Sequence, residues 1–168
     1  MDLLDRLLGH DKATTDELLQ ICEGLTDAQW NQEFDISWKS LHGTAGHVIY
    51  NERTWTNLMM GLDAATVGDD WTYTLPDLRR HHDTAHADLV ALARGVRLAG
   101  SWEDTFVDTL DVPPTRKTLG GGILHVITHN MVHRTEMLHI LARLGLDNLP
   151  EGDLMAWDMA QTIQKGVI

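Results

Sequence analysis

Apolar residues recur along this chain at intervals of three and four rather than two, the signature of helices whose one face is buried. A first helix is predicted over about residues 2 to 23. Its inward face carries Leu4, Leu7, Leu8, Asp11, Thr15, Leu18 and Cys22, and Gly24 ends it. Thr26-Asp27-Ala28-Gln29 has the form of a capping box, which opens a short turn at Trp30 before an irregular stretch to about Lys39. A second helix is predicted from about Ser40 to Met60, striped by Leu41, Ala45, Val48, Trp55 and Met59 and stopped by Gly61. After a connection over about 62 to 75, Pro76 sits in a first helical turn. The third helix then runs to about Leu98 on Leu78, His82, Ala85, Leu89, Leu92 and Val96.

Between Gly100 and Lys117 the period breaks, with Trp102, Phe106 and Val107 followed by Pro113-Pro114, and a short extended segment or loop is expected. A fourth helix is predicted to begin after Gly120-Gly121-Gly122 and to continue to Leu144, with Gly145 as its cap. Asp153 opens a last, short helix through about Gln164. The fold class is therefore all-α: a four-helix bundle with an additional short C-terminal helix, most simply antiparallel, although connections of this length also permit crossovers.

A chain of 168 residues is one domain's worth, 1–168, and buries roughly two-thirds of its unfolded surface. The single cysteine, Cys22, has no internal partner and falls at core spacing, which fits a reduced, cytoplasmic setting. The first residues lack a cationic region followed by an apolar block, and no apolar run approaches the ~20 residues that cross a bilayer. Thirteen scattered lysines and arginines against 25 acids leave a net charge of -12, which argues against a nucleic-acid partner.

The candidate chemistry lies in the fourth helix, where His125, His129 and His133 follow one another at four-residue steps. Such residues are about 40° apart around the axis and one turn apart along it, so two imidazoles can converge on one ion. Ten histidines also produce such pairs by chance, as His82 with His86 shows. A metal site with an open position takes three protein ligands, so His129 and His133 need a third from another helix. His47 is the best placed candidate, although it falls at the edge of its helix's apolar face.

Leu124-His125-Val126-Ile127-Thr128-His129-Asn130-Met131-Val132-His133-Arg134 resembles the histidine-rich late helix of the DinB/YfiT-like metalloenzymes, with its HxxxHR. Thr44-Ala45-Gly46-His47 through Trp55 is similar to the family's earlier element, a histidine followed eight residues on by tryptophan. Leu7-Leu8-Gly9-His10 and the stretches Leu144-Gly145-Leu146 and Pro150-Glu151-Gly152-Asp153-Leu154 resemble weaker family features. The resemblance implies a four-helix bundle that binds a divalent metal, zinc or nickel, through His47, His129 and His133, and that forms a homodimer. It also implies a small-molecule substrate and an activity of the thiol S-transferase type, with a low-molecular-weight thiol such as bacillithiol or glutathione as cosubstrate, related family members being mycothiol-dependent isomerases. Where relatives carry Gly-Gln after the HR, this chain has Thr135-Glu136, which adds a carboxylate.

Candidates to orient the imidazoles or accept protons are Glu52, Glu136, His82 and His125. Glu52 lies under the apolar stripe of the second helix, where Arg134 or Arg53 could pair with it. His82 faces the core. His10, His42, His81, His86 and His139 read as surface or satisfied histidines. Trp30, Trp55, Trp102, Met59, Met131 and Met137 read as core, with Trp55 the one to consider for a pocket. Two alternatives stand beside the transferase: a metal-dependent hydrolase, and a non-catalytic metal-binding stress-response protein whose ion would take four protein ligands. A DNA-binding role, suggested by the damage-inducible origin of the family name, conflicts with the charge.

Overall fold

The helices begin where side chains can cap them. In a computed structural model, which describes residues 1–36, 38–64 and 73–164, α1 spans Leu3–Cys22, α2 is the single turn Asp27–Trp30, and α3 spans Leu41–Met59. There follow α4 (Leu75–Ala99), an antiparallel hairpin of β1 (Thr105–Asp108) and β2 (Thr115–Thr118), α5 (Leu119–Arg143) and α6 (Leu154–Gln164). Asp2, Ser40 and Thr118 each accept a hydrogen bond from a backbone N–H of the first turn, while Thr26 and Thr74 form capping boxes with Gln29 and Asp77. Of the connection expected over 62 to 75, residues 65–72 lie outside the described ones.

The extended segment expected before α5 is the hairpin, in which Phe106 pairs with Lys117. α5 starts earlier than the glycine run suggests, because Gly120, Gly121 and Gly122 form its first turn. The reason is packing: a Cβ on Gly122 would lie 2.6 Å from Met59 Sδ and 3.1 Å from Phe106 Cε1, so only glycine lets α5 approach α3 and the hairpin so closely.

Two apolar clusters fill the two ends of the bundle. One contains Leu8, Leu58, Met59, Leu89, Ala93, Val96, Ile123 and Val126; the other contains Leu18, Leu19, Cys22, Leu41, Ala45, Leu78, Met137, Ile140 and Leu141. Each fully buried leucine or isoleucine contributes about 1.5–3 kcal/mol of burial free energy. The order in which each helix meets the clusters gives its direction. α1 and α5 run from the first cluster to the second, and α3 and α4 run from the second to the first. The bundle is therefore up-down-down-up, with α4 starting at the end where α3 began, rather than the simplest alternating antiparallel arrangement. α5 packs on α3 and α1, and α4 packs on α3 and α1.

Between the two clusters lies a polar layer contributed by all four helices: Asp11 and Thr15 of α1, Glu52 of α3, His82 and His86 of α4, and Asn130 and Arg134 of α5, all buried. Cys22 is buried as expected, and burial pushes its thiol up to about 12. Met131, expected in the core, is 48% exposed, because it lies on the outer side of α5 beside Val132. None of the described helices is long and apolar enough to cross a membrane.

Candidate metal centre

α3 and α5 lie antiparallel and form the most extensive helix pair of the bundle, and their shared outer edge brings three histidines together. His47 projects from the first half of α3; His129 and His133 project from one face of α5, one turn apart. The Nε2 atoms of His47 and His129 are 3.3 Å apart, and those of His133 and His129 are 3.2 Å apart. Ligands about 2.05 Å from a tetrahedral ion are separated by about 3.3 Å, so this spacing is what a shared divalent ion requires. Three imidazole nitrogens at such distances cannot be satisfied by one another's protons, since a neutral ring has one N–H and one lone pair.

The surroundings favour the neutral, ligating form. Burial and repulsion from the two neighbouring histidines hold His47 down to about 3. His129 is held to about 4 by burial and then by His133 and His125, with Glu136 opposing. His133 Nδ1 donates to Glu136 Oε2 at 2.6 Å, an arrangement that leaves the Nε2 lone pair pointing into the cluster. The carboxylate that sets this chain apart in its Thr135-Glu136 pair thus lands on a candidate ligand. His47 is stacked on Trp38, with ring centroids 4.0 Å apart, which fixes the imidazole plane from the outside.

The other sequence candidates are placed unevenly. His125 is exposed, packs edge-on against Trp55 with centroids 4.8 Å apart, and lies 5.2 Å from the His129 ring. Burial and the nearby Lys117 ammonium lower its pKa, with Asp108 opposing. Trp55 also has Lys117 Nζ 5.0 Å above its ring, so the row leading away from the three histidines is aromatic and cationic. Glu52 and His82 are not beside the three histidines. They lie in the interior polar layer, where Glu52 Oε1 accepts from His86 Nδ1 at 3.1 Å and Glu52 Oε2 lies 3.4 Å from His82 Nδ1. Arg134, a suggested partner for Glu52, instead donates to Asp11 Oδ1 and, at 3.3 Å, to Thr15 Oγ1.

His86, read from sequence as an ordinary histidine, is a buried member of that layer. Asp11 and Asn130 belong to it too. Asp11 accepts from Asn130 Nδ2 at 3.2 Å, and burial together with the Glu52 charge raises its pKa despite Arg134. One signal for the layer is visible in the chain: Asp11 and Thr15 interrupt the inward apolar face of α1, where polar side chains need partners.

Residues 1–164 match the sequence profile of the DinB family. The chain belongs to the DinB family. A search of the curated proteins finds no match. DinB membership covers nearly the full 168 residues and agrees with the helical architecture; the three converging histidines, His47, His129 and His133, are a set that could hold a metal ion in this DinB chain.

Proposed function

We propose that this protein is a divalent-metal-dependent small-molecule enzyme of the thiol S-transferase type, with zinc or nickel held by His47, His129 and His133. The observation that carries the reading is the convergence of three Nε2 atoms at 3.2 and 3.3 Å on the outer edge of α3 and α5, where His47 and His129 are only half-buried. Three donors leave a position for an exogenous ligand, whereas a structural ion takes four protein ligands. Bound there, a divalent ion acidifies a thiol or water and polarises an electrophile.

The chain's own residues divide the remaining work. Glu136 holds the His133 ring and accepts its Nδ1 proton, Trp38 holds the His47 plane, and His125 with Trp55 and Lys117 forms the adjoining wall. That wall suits a planar, electron-poor substrate lying against the indole, with a polar group near the ammonium. Low-molecular-weight thiols are the cosubstrate that the family resemblance suggests.

The test is elemental analysis of the protein as isolated, followed by conjugation assays with several low-molecular-weight thiols and an aromatic electrophile. Stoichiometric zinc or nickel and a thiol-dependent product, both lost on stripping the metal, are expected. His129→Ala and His133→Ala should remove the ion from this site and the conjugation. Undiminished conjugation in the metal-stripped protein would overturn the reading, as would full activity in both variants.

A further inference from the structure

The interior polar layer holds several buried polar atoms, donors and acceptors both, that no neighbour satisfies. Asp11 is neutralised by Arg134, whereas Glu52, fully buried, faces the imidazoles of His82 and His86 with the Asp11 carboxylate close by. Among the described residues, Glu52 Oε2, Asn130 Oδ1, Arg134 Nη2 and both ring nitrogens of His82 are buried in this layer without a hydrogen bond. A buried carboxylate needs either hydrogen bonds or a cation, and an unsatisfied set of this size is uncommon in a native core.

One oxygen each from Asp11 and Glu52 and one ring nitrogen of His86 lie within 4.8 Å of one another. Donors about 2.0–2.4 Å from one ion are separated by at most about 4–5 Å, so the three can share an ion with small side-chain adjustments. The cluster is not sealed. A cleft of about 340 Å³ between α1 and α4 reaches His86 from the surface, and its charged walls are the pairs Asp5 with Arg94 and Asp16 with Lys12. An ion therefore has a set of donors, one of which, His86, is reached from the surface.

We infer that the bundle interior holds a second divalent cation, bound by Asp11 of α1, Glu52 of α3 and His86 of α4, with Asn130 Oδ1 and His82 as further polar neighbours. Two carboxylates with one imidazole form a harder donor set than three imidazoles, so this site accepts a wider range of ions, manganese and iron(II) included, than the histidine triad does. Its ligands come from three helices, of which α3 and α4 also face each other through Glu52 and His82, and α1 and α4 through Asp16 and His82. Binding there ties α1, α3 and α4 together, so its signature is thermal stability as well as ion content. The inference is independent of the proposed enzyme, because the triad shares no ligand with it.

Zinc added to the metal-free full chain, read by equilibrium dialysis with metal analysis, tests it directly. The wild-type protein should take up about two ions per chain and His129→Ala about one; His86→Ala and Glu52→Gln should each also keep about one. In His129→Ala, zinc should still raise the melting temperature, and in the His129→Ala/His86→Ala double variant it should not. Cobalt titration of the wild type gives a reading that needs no variant: an intense tetrahedral visible spectrum should saturate first, followed by a weaker, higher-coordinate one. Uptake of one ion by the wild type, or loss of all binding in His129→Ala, would overturn the inference. So would unchanged uptake in a folded His86→Ala.

Discussion

Two clusters of titratable side chains sit a few residues apart in sequence and behave in opposite ways. His129 and His133 of α5 point outward to meet His47, while Asn130 and Arg134, one residue further along, point inward to Asp11. In the outer cluster His47 and His129 are half-buried, and burial and the neighbouring histidines hold the pKa of both down. The inner cluster is fully buried and rests on paired charges. Polar groups left unsatisfied at a surface are met by solvent, whereas in a core each carries its full desolvation cost, so the interior layer is where the fold is most sensitive.

The largest effect should come from breaking the inner pair. Arg134→Met leaves the Asp11 carboxylate buried and uncompensated, and should cost about 3–5 kcal/mol in urea unfolding. His129→Ala should leave the metal-free protein close to wild type in the same measurement. Equal losses in the two variants would abolish the distinction between a structural layer and a ligand set.

Next in size is the link from Glu136 to His133. Glu136→Gln removes the carboxylate that orients the ring and should weaken metal binding at the triad by about 10–100-fold, with helicity and unfolding midpoint unchanged. Wild-type affinity in that variant would mean that Glu136 merely sits beside the ligand.

Acid should separate the two regions by pH window. In the metal-free protein His47 and His129 stay neutral in the folded state down to about 3 and about 4, whereas in the unfolded chain they protonate near the ordinary 6.5. The unfolded state then binds more protons below pH 6.5, so stability falls as pH drops through that range. Glu52 acts later. Burial raises its pKa, but the nearby His82 imidazole and the hydrogen-bonded His86 outweigh this and hold it to about 2, against an ordinary 4.5. Its contribution is complete above pH 4.5 and is lost as pH falls towards 2. Urea midpoints followed from neutral pH to about pH 4 should begin to fall below about 6.5, and a flat profile down to pH 5 would contradict the assignment of the outer histidines.

The smallest effect should be that of His125→Ala. Although His125 belongs to the same row, it contacts His129 only through the ring and is not among the converging nitrogens. Zinc stoichiometry should be unchanged in this variant.

Most helices were legible because they depend on local rules: a period near 3.6, the capping box of Thr26 with Gln29, and Gly61 and Gly145 with positive φ just past helix ends. The pairing of His129 with His133 was legible for the same reason, since one helix suffices to align them. Their partner was less so: His47 lies at the edge of its helix's apolar face, and which edge meets α5 depends on how the two helices pack.

What sequence alone determined was therefore the type and most of the ends of the long helices and the candidate ligand pair within α5, but not the start of α5 or the hairpin before it. Only the tertiary structure decided that the bundle runs up-down-down-up, that Glu136 rather than Glu52 touches a candidate ligand, and that His86 faces Glu52 across the core. Each of these joins groups far apart in the chain, such as Asp11 with Arg134. Such contacts are set by burial and charge compensation summed over four helices, not by the spacing within any one of them.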